Sequence, residues 1–72
     1  MNQASTIDIQ VNGEARRAPG GTTVADLLTE LGAAGKRVAV ERNGEIVPRS
    51  LHSDTRLAAG DRIEVVVAVG GG

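Results

Sequence analysis

Polar and apolar residues alternate without a break from Thr6 to Val11, reading Thr-Ile-Asp-Ile-Gln-Val. A period of two belongs to a half-buried strand and puts Ile7, Ile9 and Val11 on one face. Asn12-Gly13 follows, the pair best suited to a two-residue hairpin turn. The chain then returns over residues 14–18 as a polar strand fit for a sheet edge, and Pro19-Gly20-Gly21 ends it. Here the period changes. Val24, Leu27, Leu28 and Leu31 stand at i, i+3, i+4 and i+7, which makes one apolar stripe on a helix. Thr23 and Asp26 frame its first turn as a capping box, and Gly32 is a natural left-handed terminator. So short a helix does not hold by itself and must pack on a sheet. Period two resumes in Val38-Ala39-Val40-Glu41. Asn43-Gly44 predicts a second hairpin, and Glu45-Ile46-Val47 a short return strand that Pro48 stops. Residues 49–59 carry no period; Leu51 and Leu57 are the expected core anchors there. The last strand, Arg62 to Val69, sets Ile63, Val65, Val67 and Val69 on one face and Glu64, Val66 and Ala68 on the other.

A strand apolar on both faces belongs inside a sheet, and the first strand is its expected neighbour. Two hairpins, one helix between them and a central final strand predict an α+β fold. The topology is β-grasp, or ubiquitin-like: a mixed sheet of four to five strands with one covering helix. Residues 1–69 form the single expected domain, and residues 70–72 a flexible glycine tail.

Composition narrows the choice of chemistry. The chain has 72 residues, no Phe, Trp, Tyr or Cys, and a net charge of −1. Its core must come from 18 Ile, Leu and Val residues and small side chains. Such a core contributes about 3–5 kcal/mol and leaves little wall for an enclosed pocket. Without basic excess or stacking aromatics, a nucleic-acid partner is not expected. Arg16-Arg17 and Lys36-Arg37 read as solvated loop charges. The longest apolar run, Val65 to Val69, is far short of the roughly 20 residues a membrane span requires. Met1-Asn2-Gln3-Ala4 lacks the features of a secretory leader. With no cysteine for disulfides, a cytoplasmic location is expected.

Catalytic constellations are sparse. His52 is the one histidine and reads as a surface residue. No metal site is expected without further ligands of the right kind. Gly20-Gly21-Thr22-Thr23 lacks the lysine and the spacing of a phosphate loop. What is left is the end, Val69-Gly70-Gly71-Gly72. Without side chains, Gly70 and Gly71 can thread a channel that any Cβ would block. Fully extended, three residues reach about 10 Å. The reactive group is the α-carboxylate of Gly72. A carboxylate acylates only after activation, most simply by attack on the α-phosphate of ATP. No nucleotide site is expected in this chain, so a partner enzyme must use the ATP, and this chain binds no cofactor.

The stretch Val38-Ala39-Val40-Glu41-Arg42-Asn43-Gly44-Glu45-Ile46-Val47-Pro48-Arg49 resembles the ThiS family, the sulfur carrier proteins of thiamine biosynthesis. So do Leu57, Gly60-Asp61, Ile63-Glu64, the terminal Val69-Gly70-Gly71-Gly72 and the Thr23-Val24-Ala25-Asp26-Leu27-Leu28 helix start. The likeness covers residues 6 to 72. Terminal glycines are common to all ubiquitin-like carriers; the Glu41-Arg42-Asn43-Gly44 hairpin with Pro48-Arg49 favours ThiS. The resemblance implies that a ThiF-like enzyme adenylates Gly72. Sulfur from a cysteine-dependent sulfurtransferase then replaces the adenylate as a thiocarboxylate, and a ThiG-like thiazole synthase accepts it. The chain would be a protein cosubstrate, not an enzyme. It departs from the family at His52, where relatives often carry an aromatic, and at Val67, where they often carry a polar residue or histidine. Both positions are expected near the contact face.

Val66 and Ala68, facing away from the helix, and Ala39 on the third strand are the expected partner interface. Three other readings stay open: a carrier for molybdopterin synthesis or tRNA thiolation, a ubiquitin-like protein modifier, and a module that only binds. Loss of Gly72 separates the last from a carrier.

Overall fold

The computed structural model describes residues 6–68. Its elements are β1 (Thr6–Val11), β2 (Glu14–Pro19), α1 (Val24–Glu30), β3 (Val38–Arg42), β4 (Glu45–Ile46), a 3-10 turn at Arg49–Leu51 and β5 (Arg62–Val67). The sheet has five strands in the order β2-β1-β5-β3-β4. β1 and β5 are parallel; the other neighbours run antiparallel. This is the β-grasp arrangement, with the last strand central and β2 at one edge.

Both Asn-Gly pairs form the predicted turns. Asn12, Gly13, Asn43 and Gly44 all have positive φ, as a two-residue hairpin of matching twist demands. The asparagines do more than turn. The Asn12 side chain accepts from the Val65 amide at 2.8 Å and donates to the Val65 carbonyl at 3.2 Å. It thus fills the ladder place that β1 leaves when the chain turns away. Asn43 accepts from the Arg62 amide through its side chain at 2.9 Å, on the other side of β5. The two hairpins therefore hold the central strand from both flanks.

Four amides at the start of α1 are capped. Asp26 N–H donates to Thr23 Oγ1, while Asp26 Oδ2 accepts from the Thr23 amide, both at 3.1 Å. The amides of Val24 and Ala25 donate to the carbonyls of Thr55 and His52. The irregular segment thus supplies two of the four acceptors at the amino end of the helix, whose donors would otherwise lack partners. Leu31 is the C-cap and Gly32 takes the left-handed conformation (φ 74°).

The core lies between the helix and one face of the sheet. Val24, Leu27 and Leu28 of α1 pack with Ile9, Val11, Val40 and Ile63 of the strands and with Leu57. Two expectations for the irregular segment are overturned. Leu51 is 47% exposed, and His52 is 7% exposed rather than on the surface. The 3-10 turn explains both: its three residues per turn swing neighbours apart, so one of the pair faces inward and the other out. His52 takes the inward place because its Nε2 lies 3.1 Å from the Val47 carbonyl. A carbonyl can only accept, so Nε2 carries the proton. Arg16 and Arg17 lie in β2, not in a loop. They pair with Glu30 at 3.2 Å and with Asp8 at 3.1 Å.

Asp61 is buried just before β5 and ties three segments together. It accepts from Arg42 Nε at 2.8 Å, Asn43 Nδ2 at 3.0 Å and the Ala58 amide at 2.8 Å. Burial pushes its pKa up, but the Arg42, Ala58 and Asn43 bonds outweigh burial and hold the carboxyl below its ordinary value. A depressed folded pKa means stability that is present above the unfolded value of about 4. That stability is lost as pH falls through the folded value. Asp61→Asn is therefore expected to lower the unfolding free energy at pH 7 by about 2 kcal/mol. It should also flatten the acid limb of the stability profile, read by urea titration at several pH values. Equal acid slopes in both proteins would show that Asp61 does not set that limb.

Candidate functional site

The helix covers one face of the sheet and leaves the other open. Side-chain alternation along β5 turns Glu64 and Val66 to the open side, opposite buried Ile63 and half-buried Val65. Val66 is 61% exposed. Across the ladder it stands opposite Ala39 of β3, so these two predicted interface residues are brought together. Ala68, also exposed, lies two residues beyond Val66, and its amide donates to the Arg37 carbonyl.

One member of the patch escaped the sequence reading. Ile46 of β4 is 62% exposed and pairs with Glu41, diagonal to Ala39. Its signal was present: Val47 is buried, so its neighbour had to face away. Next to the apolar patch, Glu41 and Glu64 stand directly opposite each other. Like charges facing across a ladder destabilise a sheet. Neither glutamate is in an ion pair among the described residues. The open face thus offers an exposed apolar spot bordered by two opposed carboxylates.

His52 and Val67, the two positions at which the chain departs from its resemblance, are not on this face. His52 is buried beneath the helix start, and Val67 shares the inner side with Ile63 and Val65. Among the described residues no three His, Asp or Glu side chains gather as a metal site. The predicted carrier group at Gly72, the threading residues Gly70 and Gly71, and Val69 lie outside the described residues.

Residues 9–72 match the ThiS family, a span that takes in the final glycines. The chain belongs to the ThiS family. It is 38% identical over 65 residues to the sulfur carrier protein ThiS of Bacillus subtilis strain 168, covering 89% of this chain and 98% of that protein. The crystal structure of the thiamine biosynthesis protein ThiS from Geobacter metallireducens superposes with a TM-score of 0.74 at 33% identity, over 92% of this chain and all of that one. The chain is also 47% identical over 62 residues to a thiazole synthase of Paramagnetospirillum magneticum, covering 86% of this chain. It spans only 19% of that protein, and 20% of a second thiazole synthase, from Magnetococcus marinus. The ThiS family likeness accounts for the architecture, including the central final strand.

Proposed function

We propose that this chain is the sulfur carrier for thiazole formation in thiamine biosynthesis, with the Gly72 carboxylate as the loaded group. The observation that carries this reading is the family match running unbroken through residue 72. In this reading an ATP-dependent partner joins the Gly72 carboxylate oxygen to the α-phosphate of ATP and releases pyrophosphate. The persulfide of a sulfurtransferase then displaces AMP, and a second thiol cleaves the resulting acyl disulfide, forming a new disulfide and leaving a thiocarboxylate. Thiazole synthase takes the sulfur, and the carboxylate returns for another round. The chain supplies no catalytic side chain and binds no cofactor; it presents the tail. That thiazole synthases contain a segment 47% identical to this chain supports the choice of acceptor. A carrier-like module within an acceptor enzyme holds donor and acceptor at high effective concentration.

Intact-mass measurement after incubation with the adenylating enzyme, ATP and a sulfur donor tests the proposal. The expected product gains the mass of one oxygen-to-sulfur exchange, confined by fragmentation to Gly72. No exchange, or exchange elsewhere, would sink the carrier reading.

The open face is assigned to docking of the adenylating enzyme. Val66→Asp places a third carboxylate beside Glu64 and Ala39 without touching the core. The expected result is an unchanged thermal midpoint with complex formation weakened about tenfold or more, read by calorimetry. Unaltered affinity would remove this face from the interface.

A further inference from the structure

The two sides of β5 are not equally occupied. Ala68 donates to Arg37, and Asn43 donates its backbone amide to Arg62, so the backbone groups of residues 62, 64, 66 and 68 point toward β3. Those of residues 63, 65 and 67 point toward β1. There the Ile63 carbonyl accepts from the Asn12 amide, and Val65 is satisfied by the Asn12 side chain. β1 has ended by then. Val67, next on that side, has an N–H and a C=O with no partner among the described residues.

A cavity of about 380 Å³ opens on the inner side of this same edge. Val11, Leu31, Ala33, Val65 and Val67 give it an apolar side, and Asn12, Glu14 and Arg16 a polar one. Val67 is 43% exposed at its mouth. An unpaired donor and acceptor at strand spacing suit another backbone, and the apolar side of the adjoining hollow suits the side chain that such a backbone turns inward.

We propose that the edge of β5 at Val67 pairs with an extended segment of the adenylating enzyme, whose aliphatic side chain seats in this cavity. The proposal rests on the carrier reading. Position argues for that occupant. Gly72 is five residues beyond Val67, and five extended residues cover about 17 Å. An enzyme holding the carboxyl end therefore has Val67 within its footprint. The site is distinct from the open face, because the Val67 side chain and the cavity lie on the helix side.

Amide hydrogen exchange, free and in complex with the adenylating enzyme, reads the pairing directly. In the free protein the Val67 amide should exchange fast and the Ala68 amide slowly. In the complex the Val67 amide should slow about tenfold or more. Val67→Pro removes the outward donor, which a strand tolerates on an open side, and exchanges the valine side chain for a ring. It should keep the thermal midpoint and raise the KM for the carrier while leaving kcat close to wild type; Val67→Ala, which keeps the amide, should raise KM less. Fast exchange at Val67 in the complex overturns the proposal, as would pairing of two copies at this edge, seen as concentration-dependent dimerisation with Val67 protected in the free protein. Exchange requires only a complex, whereas sulfur loading requires the chemistry, so this inference and the carrier reading fail separately.

Discussion

Deleting Gly71 and Gly72 is expected to abolish sulfur loading completely while leaving the unfolding curve where it was. Among the described residues the last fully buried aliphatic is Ile63, and the last backbone bond is that of Ala68 to Arg37. Removing two side-chain-free residues beyond that point costs no described contact. It withdraws the carboxylate by two residues, about 7 Å when extended, and on the proposed carrier reading the new terminus would stop short of the ATP phosphate. A misplacement of even about 1 Å can cost a reaction about a hundredfold. Intact mass reads loading, and circular dichroism on heating reads the fold. A truncated chain that still gains sulfur would place the carrier group elsewhere and refute the proposal.

Leu27→Ala is the opposite experiment and should remove the fold itself. Leu27 is 1% exposed, at the centre of the helix stripe, among Ile9, Val40 and Ile63. Truncating a buried leucine costs about 2–5 kcal/mol, through lost transfer energy and the cavity left behind. An aromatic-free domain of this size holds about 3–5 kcal/mol in total. The expected outcome is a chain largely unfolded at 37 °C, with a collapsed urea midpoint and proportionally reduced loading. A midpoint near that of the wild type would show that the core closes over the loss.

These two experiments divide the molecule as the sequence does. Strand positions were legible because β1, β3 and β5 each bury one face, so the period of two survives in the letters. The capping box was legible because Thr23 and Asp26 act within one turn. Leu51 and His52 were misread because hydrophobicity alone prefers the leucine inside. Hydrogen bonding to the Val47 carbonyl five residues back and closure of the helix end, a contact with Ala25 far along the chain, decide for the histidine. The staples made by Asn12 and Asn43 were hidden for a similar reason. Each residue is a local turn former, and its bonds to β5 depend on a strand up to 53 positions away. At the site, Val66 and Ala39 were found by alternation, but Ile46 was passed over in a strand of two residues.

The outer rims of the sheet have a last consequence. β2 carries Glu14, Arg16 and Arg17 and finishes at Pro19; β4 is two residues long and is followed by Pro48. Charge, proline and brevity are the features that keep a border from adhering to copies of itself. On the proposed carrier reading, the chain would visit several enzymes in turn and would have to remain dispersed between visits. Here the margins oppose indiscriminate stacking, and the unguarded stretch is at Val67, where the proposed pairing would form.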